Sequence, residues 1–150
     1  MNVPVAYQGG LAFLNSYSGL VKILEAGLNV TLIVFTAFLG QTFKPQFLCG
    51  CSIYGFLSVV VLVAFHLRGV VEKSDFPWFW VEFVNSSVLA MLLLIASSLL
   101  VATLTKGCII TGIIGFIAVM VYILDAIEKF NLAKSPRTRY VWSMPNMEQA

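Results

Sequence analysis

The chain has 150 residues, of which 59% are hydrophobic and only 11% charged, with a formal net charge of +2 and a mean hydropathy of +0.92. A water-soluble domain of this size needs a largely polar surface, and this composition cannot supply one. The solvent for most of the chain is therefore lipid, and soluble-enzyme and nucleic-acid-binding classes are excluded at the outset.

The first nineteen residues hold neither Lys nor Arg and precede the first apolar stretch, which argues against a cleaved signal peptide. They read as a flexible cytoplasmic lead around Gly9-Gly10, followed by an uncleaved signal anchor. Four stretches then reach the roughly 20 residues a helix needs to cross the hydrocarbon core. They are predicted over 20–39, 47–67, 78–104 and 108–127. Between them lie a loop around QTFKPQ, a central loop around RGVVEKSDFP, and a turn at Thr105, Lys106 and Gly107. None of these connections could hold a folded domain outside the membrane, and no internal repeat is present. Residues 1–19 are thus expected as an N-terminal segment, 20–128 as the transmembrane domain and 129–150 as a basic, aromatic tail.

Orientation follows from the basic residues, which collect on the cytoplasmic side. With four spans, one side carries Lys22, Arg68, Lys73, Lys129, Lys134, Arg137 and Arg139, and the other only Lys44 and Lys106. This bias predicts an all-α integral membrane four-helix bundle, left-handed, with N- and C-termini cytoplasmic. Cys49, Cys51 and Cys108 then fall at the opposite, oxidising side. One disulfide, Cys108 with Cys49 or Cys51, is open to the chain there; three small buried thiols are the preferred alternative, because no spacing rule forces the pair. The sequons at Asn29 and Asn85 lie within predicted spans, out of reach of glycosylation, so their amides are expected to hydrogen-bond between helices.

The stretch Gly19 to Gly40, GLVKILEAGLNVTLIVFTAFLG, carries Lys22, Glu25 and Asn29 on one helical face. Glu82, Asn85 and Ser86 share a face of the third span, continued by Leu89, Leu93 and Ser97. Cys51, Gly55, Ser58, Leu62 and His66 line the second span. Cys108, Thr111, Gly115, Ala118, Tyr122 and Asp125 line the fourth. A charge facing lipid at the centre of a span costs about 3 kcal/mol on insertion scales, so these stripes should face inward and pair. An intramembrane polar layer is expected from Lys22, Glu25, Asn29, His66, Arg68, Glu82, Asn85, Tyr122 and Asp125. Its acids would pair with Lys22, His66 or Arg68 and set helix register, although a coupling site for a proton or cation is the functional alternative. The tail KFNLAKSPRTRYVW is expected to contact anionic lipid through Lys129, Lys134, Arg137 and Arg139, at about 1 kcal/mol per basic residue.

A single His, with no HExxH, paired CxxC or phosphate-cradling glycine loop, leaves catalytic and metal readings without residues. No enzyme activity, cofactor or metal is expected.

Three segments, GLVKILEAGLNVTLIVF, FPWFWVEFVNSSVLAMLLLIASSLL and TGIIGFIAVMVYILDAIEKF, make the chain resemble the MARVEL family of four-span membrane proteins. The likeness is to the chemokine-like-factor, plasmolipin and myelin-and-lymphocyte types, and it covers 19–130. It implies cytoplasmic termini, roles in vesicle trafficking, membrane organisation or apposition, and lateral association with other membrane proteins. Expected partners are membrane lipids, other integral membrane proteins and a second copy of the chain, in the plasma membrane or endomembrane vesicles. Two alternatives stand beside it. A small proton-coupled transporter or conducting proteolipid would use Glu25, and a cell-junction scaffold would need more surface than the short outer loops offer.

Overall fold

A computed structural model describes residues 11–73 and 76–134, and every element in them is helical. A short α1 (Leu11–Leu14) precedes α2 (Tyr17–Phe38); α3 (Phe43–Leu67) leads through α4 (Val70–Lys73) to α5 (Trp78–Val101), and α6 (Lys106–Lys134) follows. The four long helices are each long and apolar enough to cross a membrane. They close a four-sided bundle in which α2 packs on α3 and α6, and α5 packs on α3 and, most extensively, on α6.

Local chemistry explains where the helices begin and end. Ser16 caps α2: its hydroxyl oxygen accepts from the Gly19 N–H at 3.1 Å, and its O–H donates to the Phe13 carbonyl at 2.5 Å. The helix thereby starts three residues before the predicted 20, and α1 is tied to it. α3 starts at Phe43 rather than 47, absorbing Pro45 from the expected loop. A proline in the first helical turn lacks only an N–H that has no helical partner there. α2 and α3 stop where Gly40 and Gly69 take positive φ of 87° and 65°, the left-handed conformation that closes a helix. α5 ends at Val101 rather than at Leu104, which itself has a φ of 59°.

The largest difference is in α6, which begins at Lys106 and runs to Lys134, seven residues past the predicted end. The first six residues of the expected tail are therefore helical. Their inward stripe continues without a break, from Tyr122 and Asp125 to Lys129.

Farther along the bundle the core is mainly aliphatic, with Leu32, Leu48, Leu89, Leu93, Leu100 and Ala118 fully buried, and its buried polar side chains are the hydroxyls of Thr36, Ser52, Ser97 and Thr111. Outward residues such as Ile23, Val34, Leu57, Met91, Ile117 and Met120 are exposed, as a lipid-facing surface requires. Since lipid and leucine are equally apolar, helix association rests on close packing rather than on water exclusion. Small residues provide it along α5 and α6. A Cβ at Gly115 would collide with the Ser97 hydroxyl, and one at Gly112 with Val101 and, at 3.1 Å, the Ser97 carbonyl. At Gly55 a Cβ would stand 2.8 Å from Asn29 Oδ1 and 2.9 Å from the Tyr122 hydroxyl.

Candidate functional site: a buried charge layer

Glu25, Asn29, Glu82, Ser86, Asp125 and Lys129 have no accessible surface, Lys22 and Tyr122 have 1% and His66 has 4%. All nine stand toward the end of the bundle at which α2 begins and α6 ends, and all four long helices contribute.

Lys22 is the hub between α2 and α6. Its ammonium donates to Glu25 Oε2 at 3.0 Å, one turn along, and to Asp125 Oδ2 at 2.7 Å across the interface. Ser86 of α5 donates to the same Asp125 oxygen at 2.5 Å. Lys129 lies 3.4 Å from Glu82 Oε2 and 3.7 Å from both Asp125 Oδ1 and Glu128 Oε2. It also donates to the hydroxyl of Ser18. His66 closes the circuit: Nδ1 donates to the Leu62 carbonyl at 2.9 Å, and Nε2 stands 3.3 Å from Glu82 Oε1. A hydrogen bond across that last gap needs a proton on one of the two atoms. Phe13 of α1 stacks on the imidazole, with centroids 4.2 Å apart and planes inclined by 16°. Phe13 and Ser16 are thus buried against the bundle, where the sequence suggested a flexible lead.

One layer farther in, Asn29 donates to the Tyr122 hydroxyl at 2.6 Å and to the Glu25 carbonyl at 2.8 Å. This is the interhelical role expected for the amide of the first sequon. Asn85 plays it between α5 and α3, donating to Ser58 Oγ at 3.3 Å and accepting from the Tyr54 hydroxyl at 3.1 Å. Asn85 is only half-buried, however, and stands apart from the charge circuit.

Two expectations require correction. Lys129, expected at the lipid headgroups, is wholly buried with acids of α5 and α6 around it, because it lies four residues beyond Asp125 on the inward stripe. Arg68, expected in the layer, is the exposed C-cap residue of α3. It follows α3's last inward residue, His66, by two positions, a rotation of about 200° that turns it away. Lys134 is exposed, with its ammonium 4.3 Å over the Phe130 ring, while Arg137 and Arg139 lie outside the described residues. Cys49, Cys51 and Cys108 are free thiols, the last two in the apolar core.

Ser86, read from the sequence on the inward face of the third span, takes its place in the site, and Ser18 and Phe13 complete it although no motif marks them. Ser18 is accessible to periodicity, lying four residues before the inward Lys22. Water-soluble amine-reactive esters should accordingly modify Lys106 and Lys134 in the folded protein and leave Lys22 and Lys129 unlabelled, read by peptide mass spectrometry. Labelling of Lys129 at the rate of Lys134 would contradict its burial.

Four apolar helices closed around a buried charge layer define an integral multi-pass membrane protein. No family model, curated protein or solved structure matches the chain.

Proposed function

We propose that the chain is a non-enzymatic membrane-organising protein of MARVEL type, with cytoplasmic termini, which associates laterally with other membrane proteins in vesicle trafficking or membrane apposition. The observation that carries this reading is the placement of its polar groups. The ionisable side chains of the layer are held in ion pairs within 4 Å of one another at one end of the bundle. Beyond Asn29 and Tyr122 the shared interior passes to Leu32, Leu48, Leu93 and Leu100 with the hydroxyls of Ser52, Ser97 and Thr111, and no Asp, Glu, Lys, Arg or His is buried there among the described residues. Such a layer sets the register of four helices and leaves their outward faces for recognition. The loops at the far end, 39–42 and 102–105, are too short to reach a partner on a facing membrane, which favours association within one membrane. Three segments of MARVEL-like sequence supply eight of the nine residues of the layer, all but His66.

A second reading, proton-coupled transport through Glu25, draws on a different observation. Three fully buried carboxylates face two buried ammonium groups and one imidazole, and Glu25 Oε1, Asp125 Oδ1 and both Glu82 oxygens accept no hydrogen bond. Proteoliposomes separate the two. The organising role expects no pH-driven flux from the wild-type protein, and proximity labelling from the C-terminus in native cells to return a reproducible set of membrane neighbours. Flux abolished by Glu25→Gln, or labelling of random neighbours only, would overturn it.

A further inference from the structure

On the outer face of α5 and α6 runs a groove of about 450 Å³. Ala90, Val119 and Ala126 are buried in its floor, and exposed Met91, Leu94 and Ile127 form its sides, so it opens outward rather than into the bundle. The lining runs from Phe83 to Leu94 on α5 and from Phe130 back to Val119 on α6. Twelve residues on each helix, eleven rises of 1.5 Å, make it about 16 Å long, half the hydrocarbon thickness and therefore the depth of one leaflet. Its polar side chain, Ser87, already donates to the Phe83 carbonyl at 2.7 Å, so the groove presents hydrocarbon with no unmet donor.

The end at which α6 finishes has a different chemistry. Trp80, Phe83 and Phe130 form an aromatic cluster with centroids 5.4 to 5.9 Å apart. Lys134, which is exposed, holds its ammonium over Phe130. An apolar slot of acyl-chain length that ends on aromatic rings and an exposed cation has the chemistry of a phospholipid site, since such rings and basic side chains settle at the headgroups.

We propose that the α5–α6 groove is a binding site for an anionic phospholipid, one acyl chain lying along Ala90 and Ala126 and the phosphate-bearing headgroup resting on Lys134. This goes beyond lateral association with proteins, and its failure would leave that reading standing, since the two are read by different measurements.

The test uses Trp80 as the reporter, in full-length protein carrying Trp78→Phe and Trp142→Phe, reconstituted in bilayers. Phosphatidylserine or phosphatidylcholine brominated on the acyl carbons nearest the headgroup is titrated over the same range of mole fraction, and quenching of Trp80 is recorded. Half-quenching is expected at about fivefold less brominated phosphatidylserine than phosphatidylcholine, the contribution of one basic residue at the interface. Lys134→Gln should remove this preference while leaving quenching by both lipids. Ala126→Phe should weaken quenching by both, and Ser87→Leu, which fills the slot from a half-buried position, should do the same where Ala126→Phe does not fold. Equal quenching by the two lipids, a preference that survives Lys134→Gln, or a Trp80 shielded from both lipids by a protein neighbour would each overturn the proposal.

Discussion

Lys22→Met should destabilise the bundle by about 3–5 kcal/mol, the range for removing one partner of a buried ion pair. Lys22 is 1% exposed and bonds both Glu25 and Asp125, which have no accessible surface. Its loss leaves Glu25, among the described residues, without a cation within 4 Å, and Asp125 with the Ser86 hydroxyl, at 2.5 Å, and Lys129, at 3.7 Å. Neither group has accessible surface, so the desolvation of Glu25 goes uncompensated and that of Asp125 is offset only in part. Reversible unfolding of the purified protein by SDS titration in mixed micelles measures the loss. Adding Asp125→Asn to Lys22→Met should recover part of it, with a coupling energy of about 0.5–3 kcal/mol between the two positions. A wild-type unfolding midpoint for Lys22→Met, or additive effects of the two substitutions, would show that the layer does not hold the helices together.

The second large effect is expected at the α5–α6 seam, where Gly112→Leu should lower stability by about 1–3 kcal/mol through overpacking. A Cβ there already meets Val101, and at 3.1 Å the Ser97 carbonyl, which is backbone and cannot rotate aside. The two helices would have to separate along the most extensive contact in the bundle. Gly27 and Gly50 provide the contrast, because a Cβ at either meets nothing within 4 Å. Gly27→Ala and Gly50→Ala should be neutral or stabilising by up to about 1 kcal/mol, the helix-propensity gain over glycine. The same SDS titration reads all three, and a Gly112→Leu protein as stable as Gly27→Ala would refute close approach at the seam.

Much of the site could be read from spacing. Lys22, Glu25 and Asn29 recur at three and four residues, as do Tyr122 and Asp125, and both sets face inward. Lys129 continues the second series but was assigned by residue type to the headgroups, and there the rule of periodicity was the better guide. A lysine avoids the interior of a span only while no acid is there to meet it. Glu82 and Asp125 meet this one. The N-terminal packing was illegible for another reason: Phe13 reaches His66, fifty-three residues on, and no local pattern encodes that contact.

The sequence by itself determined the number of spans, their inward stripes and the presence of ionisable groups on each of the four. These follow from hydropathy and the 3.6-residue repeat, which are local properties of each segment. Only the tertiary structure decided which acid meets which base, that Lys129 replaces Arg68 in the layer, and that α5 and α6 leave a lipid-length groove between them. Those outcomes depend on the relative height and rotation of neighbouring helices. A shift of one residue in either, 1.5 Å and 100°, exchanges a buried partner for lipid.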